Sequence, residues 1–285
     1  MCRWLAAYTG SPILLERALY SPAHSLIDQS LHSELGAEAT NGDGFGVGWY
    51  DDQPEPGTFK SIEPAWNDQN LREMAGHVKS GLFFAHIRAA IGSPVQQTNC
   101  HPFRHRHWLF MHNGFIGDYA RLKRDLVLAI DESLYPELAG GADTEVLFYL
   151  ALTLGLEDDP VQAVSRAIGL VEDAGRQKDV RYPFQGTVAV SNGERIWAFR
   201  YSSEGKSRSL FFTGHVPTLR ALYPEREILQ EVSDDARVIV SEPMGDLPGA
   251  WNEVPESSYG IVGGGEETLG PFAVTPPVKG VSVPA

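Results

Sequence analysis

The second residue of the chain is a cysteine, Cys2, directly behind Met1. If Met1 is removed, this one residue carries both a thiol and a free α-amine, whose unperturbed pKa is about 7.7–8.0. The thiolate is the nucleophilic form and a free cysteine has a pKa of about 8.5, so a thiol nucleophile needs such a base. A nucleophile paired with a terminal amine is a recurring arrangement for acyl transfer. A rigid element must then hold the chain end, and residues 3–9 are predicted to form a strand. The alternative is that Cys2 is simply buried, as free cysteines often are.

Composition excludes several classes of protein. The chain has 285 residues, of which 42% are hydrophobic, so it can bury a sizeable core. A net charge of -14 repels phosphate backbones, which predicts no nucleic-acid partner. Its two cysteines, Cys2 and Cys100, imply no disulfide framework. The start resembles no signal peptide, and the longest apolar run, residues 146–156, is shorter than the roughly 20 residues that a membrane span needs. We therefore expect a cytoplasmic protein with no membrane segment.

Periodicity and turn signals predict α and β elements with extensive sheet. The Asn192-Gly193 turn predicts a hairpin between strands 187–191 and 195–201. We expect residues 2–260 to form one domain and residues 261–285 to be a loosely held tail. The other predicted strands are residues 45–50, 58–62, 82–89, 108–112, 210–213 and 237–241. The predicted helices are residues 67–78, 118–130 with Asp118 as N-cap, 146–156 and 160–172.

Four polar clusters stand out along the chain, together with Asp143 at a predicted helix start. Taken singly each is a weak signal, because a His-x-Arg in a strand is usually structural and an Asn-Gly after a strand is usually a turn. The clusters are Asn41-Gly42-Asp43-Gly44-Phe45-Gly46, His86-Ile87-Arg88, Asn99-Cys100-His101-Pro102-Phe103 and Met111-His112-Asn113-Gly114-Phe115-Ile116.

Together with Cys2, these clusters resemble the class II glutamine amidotransferases, which are N-terminal-nucleophile hydrolases. The resemblance covers residues 2–260 and is closest to the stand-alone branch with the ergothioneine-pathway γ-glutamyl amidohydrolase and the YafJ/DUG3-like proteins. One departure is Gly42, where that branch usually has alanine. The segments that carry the closer resemblance are Cys2-Arg3-Trp4-Leu5, His24-Ser25-Leu26-Ile27-Asp28-Gln29-Ser30 and Asp43-Gly44-Phe45-Gly46-Val47-Gly48-Trp49-Tyr50.

The resemblance implies an α+β fold, the αββα four-layer sandwich with two mainly antiparallel sheets between helical layers. It also implies that Cys2 attacks the γ-carboxamide of glutamine or of a γ-glutamyl compound and forms a thioester, while its α-amine takes the thiol proton. Arg88 would bind the substrate α-carboxylate and Asp143 the α-ammonium. Asn113 and Gly114 would form the oxyanion hole, and no cofactor would be needed.

These implied roles agree with elementary chemistry. The glutamine head group is a zwitterion and requires one fixed cation and one fixed anion, and a planar guanidinium suits a carboxylate. The structural alternatives are that Arg88 belongs to an ion pair at the core edge and that Asp143 only caps a helix. We interpret His86 and His101 as supports of the site loops, and Asp43 as the residue that orders the Gly-rich turn.

A rival interpretation is a zinc site, because five potential ligands lie close together in the sequence. Their spacing matches no established zinc motif, and interleaved Arg104 and Arg106 disfavour a cation, so we predict no metal. The five residues are Cys100, His101, His105, His107 and His112.

Several functions remain open at this stage. Because the resemblance covers nearly all of the sequence, we expect no second, ammonia-using domain beyond residue 260. It could hydrolyse a small γ-glutamyl compound, or supply ammonia to a separate synthase subunit, and it could form a homo-oligomer. A Cys-first acylase for other amides and a non-catalytic γ-glutamyl-binding protein are further alternatives.

Overall fold

The structure is a computed structural model that describes residues 2–35, 40–90 and 93–277. Its strands are β1 (Arg3–Leu14), β2 (Phe45–Trp49), β3 (Gly57–Ser61), β4 (Lys79–Ile87), β5 (Phe103–His105), β6 (Trp108–Ile116), β7 (Phe184–Ser191), β8 (Ile196–Ser202), β9 (Phe211–Thr213), β10 (Arg237–Val240), β11 (Trp251–Glu253), β12 (Ser258–Gly263) and β13 (Glu266–Pro271). Its helices are α1 (Glu16–Leu19), α2 (Leu26–Leu31), α3 (Gln69–Ala75), α4 (Tyr119–Leu128), α5 (Asp143–Thr153), α6 (Pro160–Gln177), α7 (Val216–Leu222) and α8 (Ile228–Glu231).

The strands form two sheets in which every pairing is antiparallel. Within the described ranges, the first sheet has seven strands in the order β11-β9-β10-β1-β4-β2-β3. The second has six strands in the order β13-β12-β8-β7-β6-β5. Cys2 directly precedes β1 and Arg88 directly follows β4 in the first sheet, whereas Asn113 and Gly114 lie on β6 of the second.

Three apolar layers hold the two sheets and the helices together. Helices α1 to α3 cover the outer face of the first sheet, and α4 to α6 cover the outer face of the second. A third layer, which includes Trp4, Phe84 and Met111, lies between the two sheets. The order helices, sheet, sheet, helices confirms the predicted α+β fold with the αββα sandwich of an N-terminal-nucleophile hydrolase. None of the described helices combines the length and the apolar character needed to cross a bilayer.

Strand β1 carries Cys2 at its start and is buried on both faces. Leu5 and Ala7 contact the helical side, whereas Trp4 and Ala6 face the other sheet, as the two-residue period of a strand requires. Trp4 also donates its indole N–H to Thr187 Oγ1 at 3.0 Å, which links the two sheets. This central strand is the rigid element that was expected to hold Cys2.

Strand β6 is longer than its sequence pattern indicated. Residues 108–112 were predicted as the strand, and an Asn-Gly such as Asn113-Gly114 usually marks a turn, but β6 continues to Ile116 because each residue from Leu109 to Ile116 pairs with β7. The helix after it begins as predicted, although Asp118 makes no side-chain capping bond; its carboxylate pairs with Arg121 at 2.8 Å.

The predicted loose tail from residue 261 is wrong for residues 261–272. Strand β12 pairs with β8 and β13 pairs with β12, so these residues extend the second sheet. Phe272 is buried in the core, and the Thr275 N–H donates to the Ser165 carbonyl at 3.3 Å. The glycines that suggested a tail at residues 263–265 form the turn between the two strands, each with a positive φ. Residues 278–285 lie outside the described part of the chain.

Candidate active site

Cys2 lies at the start of β1 and faces the end of β4. Its Sγ is 3.4 Å from the Ala89 N–H and 3.5 Å from the Ala89 carbonyl oxygen. Burial raises the pKa of the Cys2 thiol above its usual value, although the Ala89 backbone and the Arg88 charge lower it. The thiol is therefore mostly protonated at neutral pH and needs a base to become a nucleophile.

The main chain of Cys2 is held by two side-chain donors. Asn113 Nδ2 donates to the Cys2 carbonyl at 2.8 Å, and Arg3 Nη1 donates to the same oxygen at 3.0 Å. A side-chain amide has two N–H donors, so Asn113 retains a second one.

Gly114 follows Asn113 in the middle of β6, opposite Gly186 of β7. A Cβ at Gly114 would lie 1.9 Å from the Gln185 carbonyl oxygen and 2.6 Å from His112 Nε2. Only glycine fits at this position, and Gly114 lines the same cavity as Cys2.

Arg88 is buried just beyond the end of β4. Its Nη2 donates to Ser93 Oγ at 2.7 Å and to the Pro94 carbonyl at 3.0 Å. It forms no ion pair with a carboxylate in the part of the chain that the structure describes. The core-edge ion pair offered as an alternative is therefore not found there, and a charged guanidinium lines the cavity.

Asp43 supports the same corner of the site from the Gly-rich segment before β2. Its Oδ2 accepts the Ala90 N–H at 2.7 Å, and its own N–H donates to the Arg88 carbonyl at 3.0 Å. These bonds fix the chain that follows β4, and the ordering of the Gly-rich turn by Asp43 stays a prediction.

Asp143 is the first residue of α5, whose N-cap is Ala142. Its Oδ2 accepts the Ile116 N–H at the end of β6, and its Oδ1 accepts the Thr144 N–H, both at 2.8 Å. The carboxylate thus joins the helix start to the strand of Asn113, which goes beyond the helix-capping alternative.

One cavity collects the candidate residues. Cys2, Arg88, Asn113, Gly114 and Asp143 all line it, and so does His101. The other lining residues had no predicted role; they are Ala89, Ser93, Asn99, His112, Phe115, Ala142, Thr144 and Arg208. Of these, Asn99, His112 and Phe115 lie inside the polar clusters, whereas nothing in the sequence marked Arg208.

Three buried histidines surround the site. The rings of His86 and His101 are 4.0 Å apart between centroids, and their nitrogens have no hydrogen-bond partner among the described residues. Burial lowers the pKa of His86 to about 3 and lowers the pKa values of His101 and His112 as well. Such weakly basic imidazoles are poor acceptors for the thiol proton. His101 borders the cavity, and His86 packs on the His101 ring.

The five residues of the rival zinc interpretation do not form one cluster. His105 pairs with Glu137 at 2.7 Å, and His107 lies 3.6 Å from Glu157. Cys100 is buried beside the Ser61 carbonyl, 3.4 Å away. Among the described residues, three other potential metal ligands do have their ligand atoms within 4.8 Å of one another. They are His24, Glu34 and Glu242.

The chain is similar in sequence and in fold to several known proteins. A family model described as "Glutamine amidotransferases class-II" matches residues 21–215. The probable glutamine amidotransferase DUG3 of Saccharomyces cerevisiae is 35% identical over 289 aligned residues, which cover 90% of this chain and 80% of the yeast protein. The chain belongs to the class II glutamine amidotransferases. It is accordingly a hydrolase that acts on C–N amide bonds.

Two further similarities place this amidotransferase within the family. The γ-glutamyl-hercynylcysteine sulfoxide hydrolase of Mycolicibacterium smegmatis is 26% identical, over 90% of this chain and 93% of that protein. A glutamine aminotransferase class-II domain protein from Silicibacter pomeroyi has a solved structure with a TM-score of 0.73 and 32% identity, covering 96% of this chain and all of the other.

A more distant solved structure shares the fold alone. The glutamine phosphoribosylpyrophosphate amidotransferase of B. subtilis has a TM-score of 0.63 at 15% identity, and the match covers 96% of this amidotransferase but 50% of the longer chain.

Proposed function

We propose that this amidotransferase hydrolyses the γ-amide bond of glutamine or of a γ-glutamyl compound through a thioester on Cys2. The observation that carries the proposal is the single cavity lined by Cys2, Arg88, Asn113, Gly114 and Asp143. It offers one cation and one anion for the zwitterionic head group, with a thiol and amide donors beside them.

The first half-reaction makes the thioester. With Met1 removed, the α-amine of Cys2 takes the thiol proton, and the sulfur attacks the γ-carbonyl carbon. The carbonyl oxygen becomes an oxyanion that Asn113 Nδ2 and the Gly114 N–H stabilise. The C–N bond then breaks, and the α-ammonium returns the proton to the leaving amine.

The second half-reaction releases glutamate. The α-amine, neutral again, takes a proton from water, and the resulting hydroxide attacks the thioester carbonyl at the same oxyanion site. The C–S bond breaks, and the proton on the amine restores the thiol. The raised pKa of the Cys2 thiol means that a base is needed, and the lowered pKa values of His86 and His101 leave the α-amine as the better base.

The decisive experiment measures glutamate released from glutamine and from γ-glutamyl amides by protein whose N-terminus has been verified by mass spectrometry. We expect Cys2→Ala to abolish release and leave the fold unchanged by circular dichroism. The matched control is Cys100→Ala, which removes a buried thiol outside the cavity and should retain most of the activity.

A chain that retains Met1 should be inactive, because its Cys2 nitrogen is then an amide without a basic lone pair. Full turnover by such a chain, or activity lost in Cys100→Ala but kept in Cys2→Ala, would contradict the proposal. Release of glutamate by the purified protein alone would also separate a stand-alone hydrolase from a subunit that works only with a synthase partner.

A further inference from the structure

A second and larger cavity adjoins the one that contains Cys2. Its volume is about 370 Å³, against about 60 Å³ for the cavity at Cys2. Asn113 and Arg208 line both, so these two side chains form the boundary between them. Arg88 and Asp143 line only the smaller cavity. A substrate whose head group lies on those two residues and whose γ-carbon lies at Cys2 can extend its leaving group past this boundary.

The size of the second cavity argues for a leaving group larger than ammonia. Small-molecule sites usually measure about 300–1,000 Å³, and the larger cavity falls within that range. Ammonia released from glutamine would leave it empty of substrate atoms. An amine that carries further atoms would occupy it.

The charges around the larger cavity indicate which chemical group the leaving amine carries. Of its three arginines, Arg3 is paired with Glu242 at 2.7 Å, and Arg200 is paired with Glu253 at 2.7 Å. Arg208 differs from both, because no carboxylate in the described ranges lies within ion-pair distance of it.

The Nε of Arg208 is shielded from solvent and has no hydrogen-bond partner among the described residues. Burial, and then the positive charge of Arg3, lower the pKa of the Arg208 guanidinium. A buried donor without a partner is costly, and a carboxylate is the group that best matches a guanidinium fork. Among the arginines that line the larger cavity, Arg208 is thus the one whose charge has no carboxylate partner in the described ranges, and it lies where the leaving group enters.

We propose that Arg208 binds a carboxylate on the leaving amine, so that this site prefers γ-glutamyl amino acids and peptides to glutamine. The proposal rests on the proposed function and adds the chemical class of the leaving group. Arg208 acts as a specificity residue that touches the substrate beyond the scissile bond.

The test compares γ-glutamylglycine with γ-glutamylglycinamide, which differ only in the terminal carboxylate. Calorimetry on the Cys2→Ala variant gives the two dissociation constants without turnover. Because a hydrogen bond to a charged group is worth about 1.5–3 kcal/mol, we expect γ-glutamylglycine to bind about tenfold or more tightly. Active protein should show a kcat/KM preference in the same direction.

Two substitutions then assign this preference to Arg208. Adding Arg208→Gln should reduce the ratio of the two dissociation constants to about one, whereas Arg208→Lys should keep part of it because the charge remains. The control is Arg124→Gln on α4, which removes the same charge from a side chain that is 81% exposed and outside both cavities, and should leave the ratio unchanged.

A Cys2→Ala protein that binds both ligands equally, or a ratio that survives Arg208→Gln, would overturn the inference. Either result leaves the proposed hydrolysis intact if the active protein still releases glutamate. Conversely, a binding preference without any turnover would retain the role of Arg208 and refute the proposed function.

Discussion

Glu242 organises the segment next to Cys2, and replacing it with glutamine tests how much this network stabilises the fold. The Glu242 side chain is only 2% exposed. It accepts from Arg3 Nε at 2.7 Å, from the Glu34 N–H at 2.8 Å and from the Leu35 N–H at 3.1 Å, and it lies 2.7 Å from His24 Nε2. Glutamine at this position would turn an amide N–H₂ towards donors and leave the Arg3 charge without its partner.

The pKa of Glu242 gives the size of its contribution to the free energy of unfolding. Burial alone would raise it, but the hydrogen bonds from His24 and Glu34 and the charge of Arg3 lower it from 4.5 to about 2. At 1.36 kcal/mol per pKa unit, this shift corresponds to about 3 kcal/mol of stability. The folded state favours the ionised form, so the contribution is fully present above about pH 5 and is lost as the pH falls towards 2.

Urea unfolding of wild type and Glu242→Gln between pH 7 and pH 3 measures this contribution. We expect the variant to lose about 3 kcal/mol at pH 7, within the range for breaking a buried ion pair, and the difference from wild type to shrink below pH 5. The contributions of other titrating groups to the unfolding free energy are the same in both proteins, so they cancel in that difference. The control is Glu73→Gln, whose side chain is 81% exposed, and it should change the unfolding free energy by no more than about 0.5 kcal/mol. A loss below about 1 kcal/mol at pH 7, or a difference that does not vary with pH, would refute the reasoning.

Two further predictions concern the cavity at Cys2. Gly186→Ala would place a methyl carbon 2.2 Å from His112 Nε2 behind Gly114, so we expect a lower melting temperature, a cost of about 1–3 kcal/mol and reduced glutamate release. Gly260→Ala on β12, where the nearest atom is 3.4 Å away, should be nearly neutral in the same melt and assay. Arg88→Lys should raise KM for glutamine and γ-glutamyl substrates at least about tenfold, since an ammonium cannot replace the guanidinium fork. An unchanged KM for both would place the head-group site elsewhere.

Local sequence signals predicted several elements correctly, because their causes are local. The Asn192-Gly193 hairpin, the strand behind Cys2 and the helix that starts at Pro160 depend on turn chemistry, alternation and helix-start preferences within a few residues. The fold itself was expected from the resemblance carried by the motifs, and the comparisons confirm the family. The roles of Cys2, Asn113 and the other site residues stay predictions, as does the cytoplasmic location.

Where sequence reasoning failed, partners distant in the chain decided the outcome. A local turn signal at Asn113-Gly114 was overridden by pairing with β7, and the glycines at 263–265 connect two strands of the sheet. At Asn113-Gly114 the backbone hydrogen bonds of the ladder outweigh the local preference, whereas the glycines at 263–265 keep their turn and the pairing on either side of it decides that the segment is sheet.

The sequence by itself determined the chemistry that this chain carries: a cysteine at the chain start, an amide, a cation and an anion in recognisable motifs. Only the tertiary structure decided that these groups share one cavity, since Asn113 meets Cys2 across 111 residues of chain. It also decided that burial keeps the neighbouring histidines weakly basic and that Arg208 stands between two cavities. Distance, desolvation and the absence of a charge partner are properties of the packed chain, and no local pattern of residues encodes them.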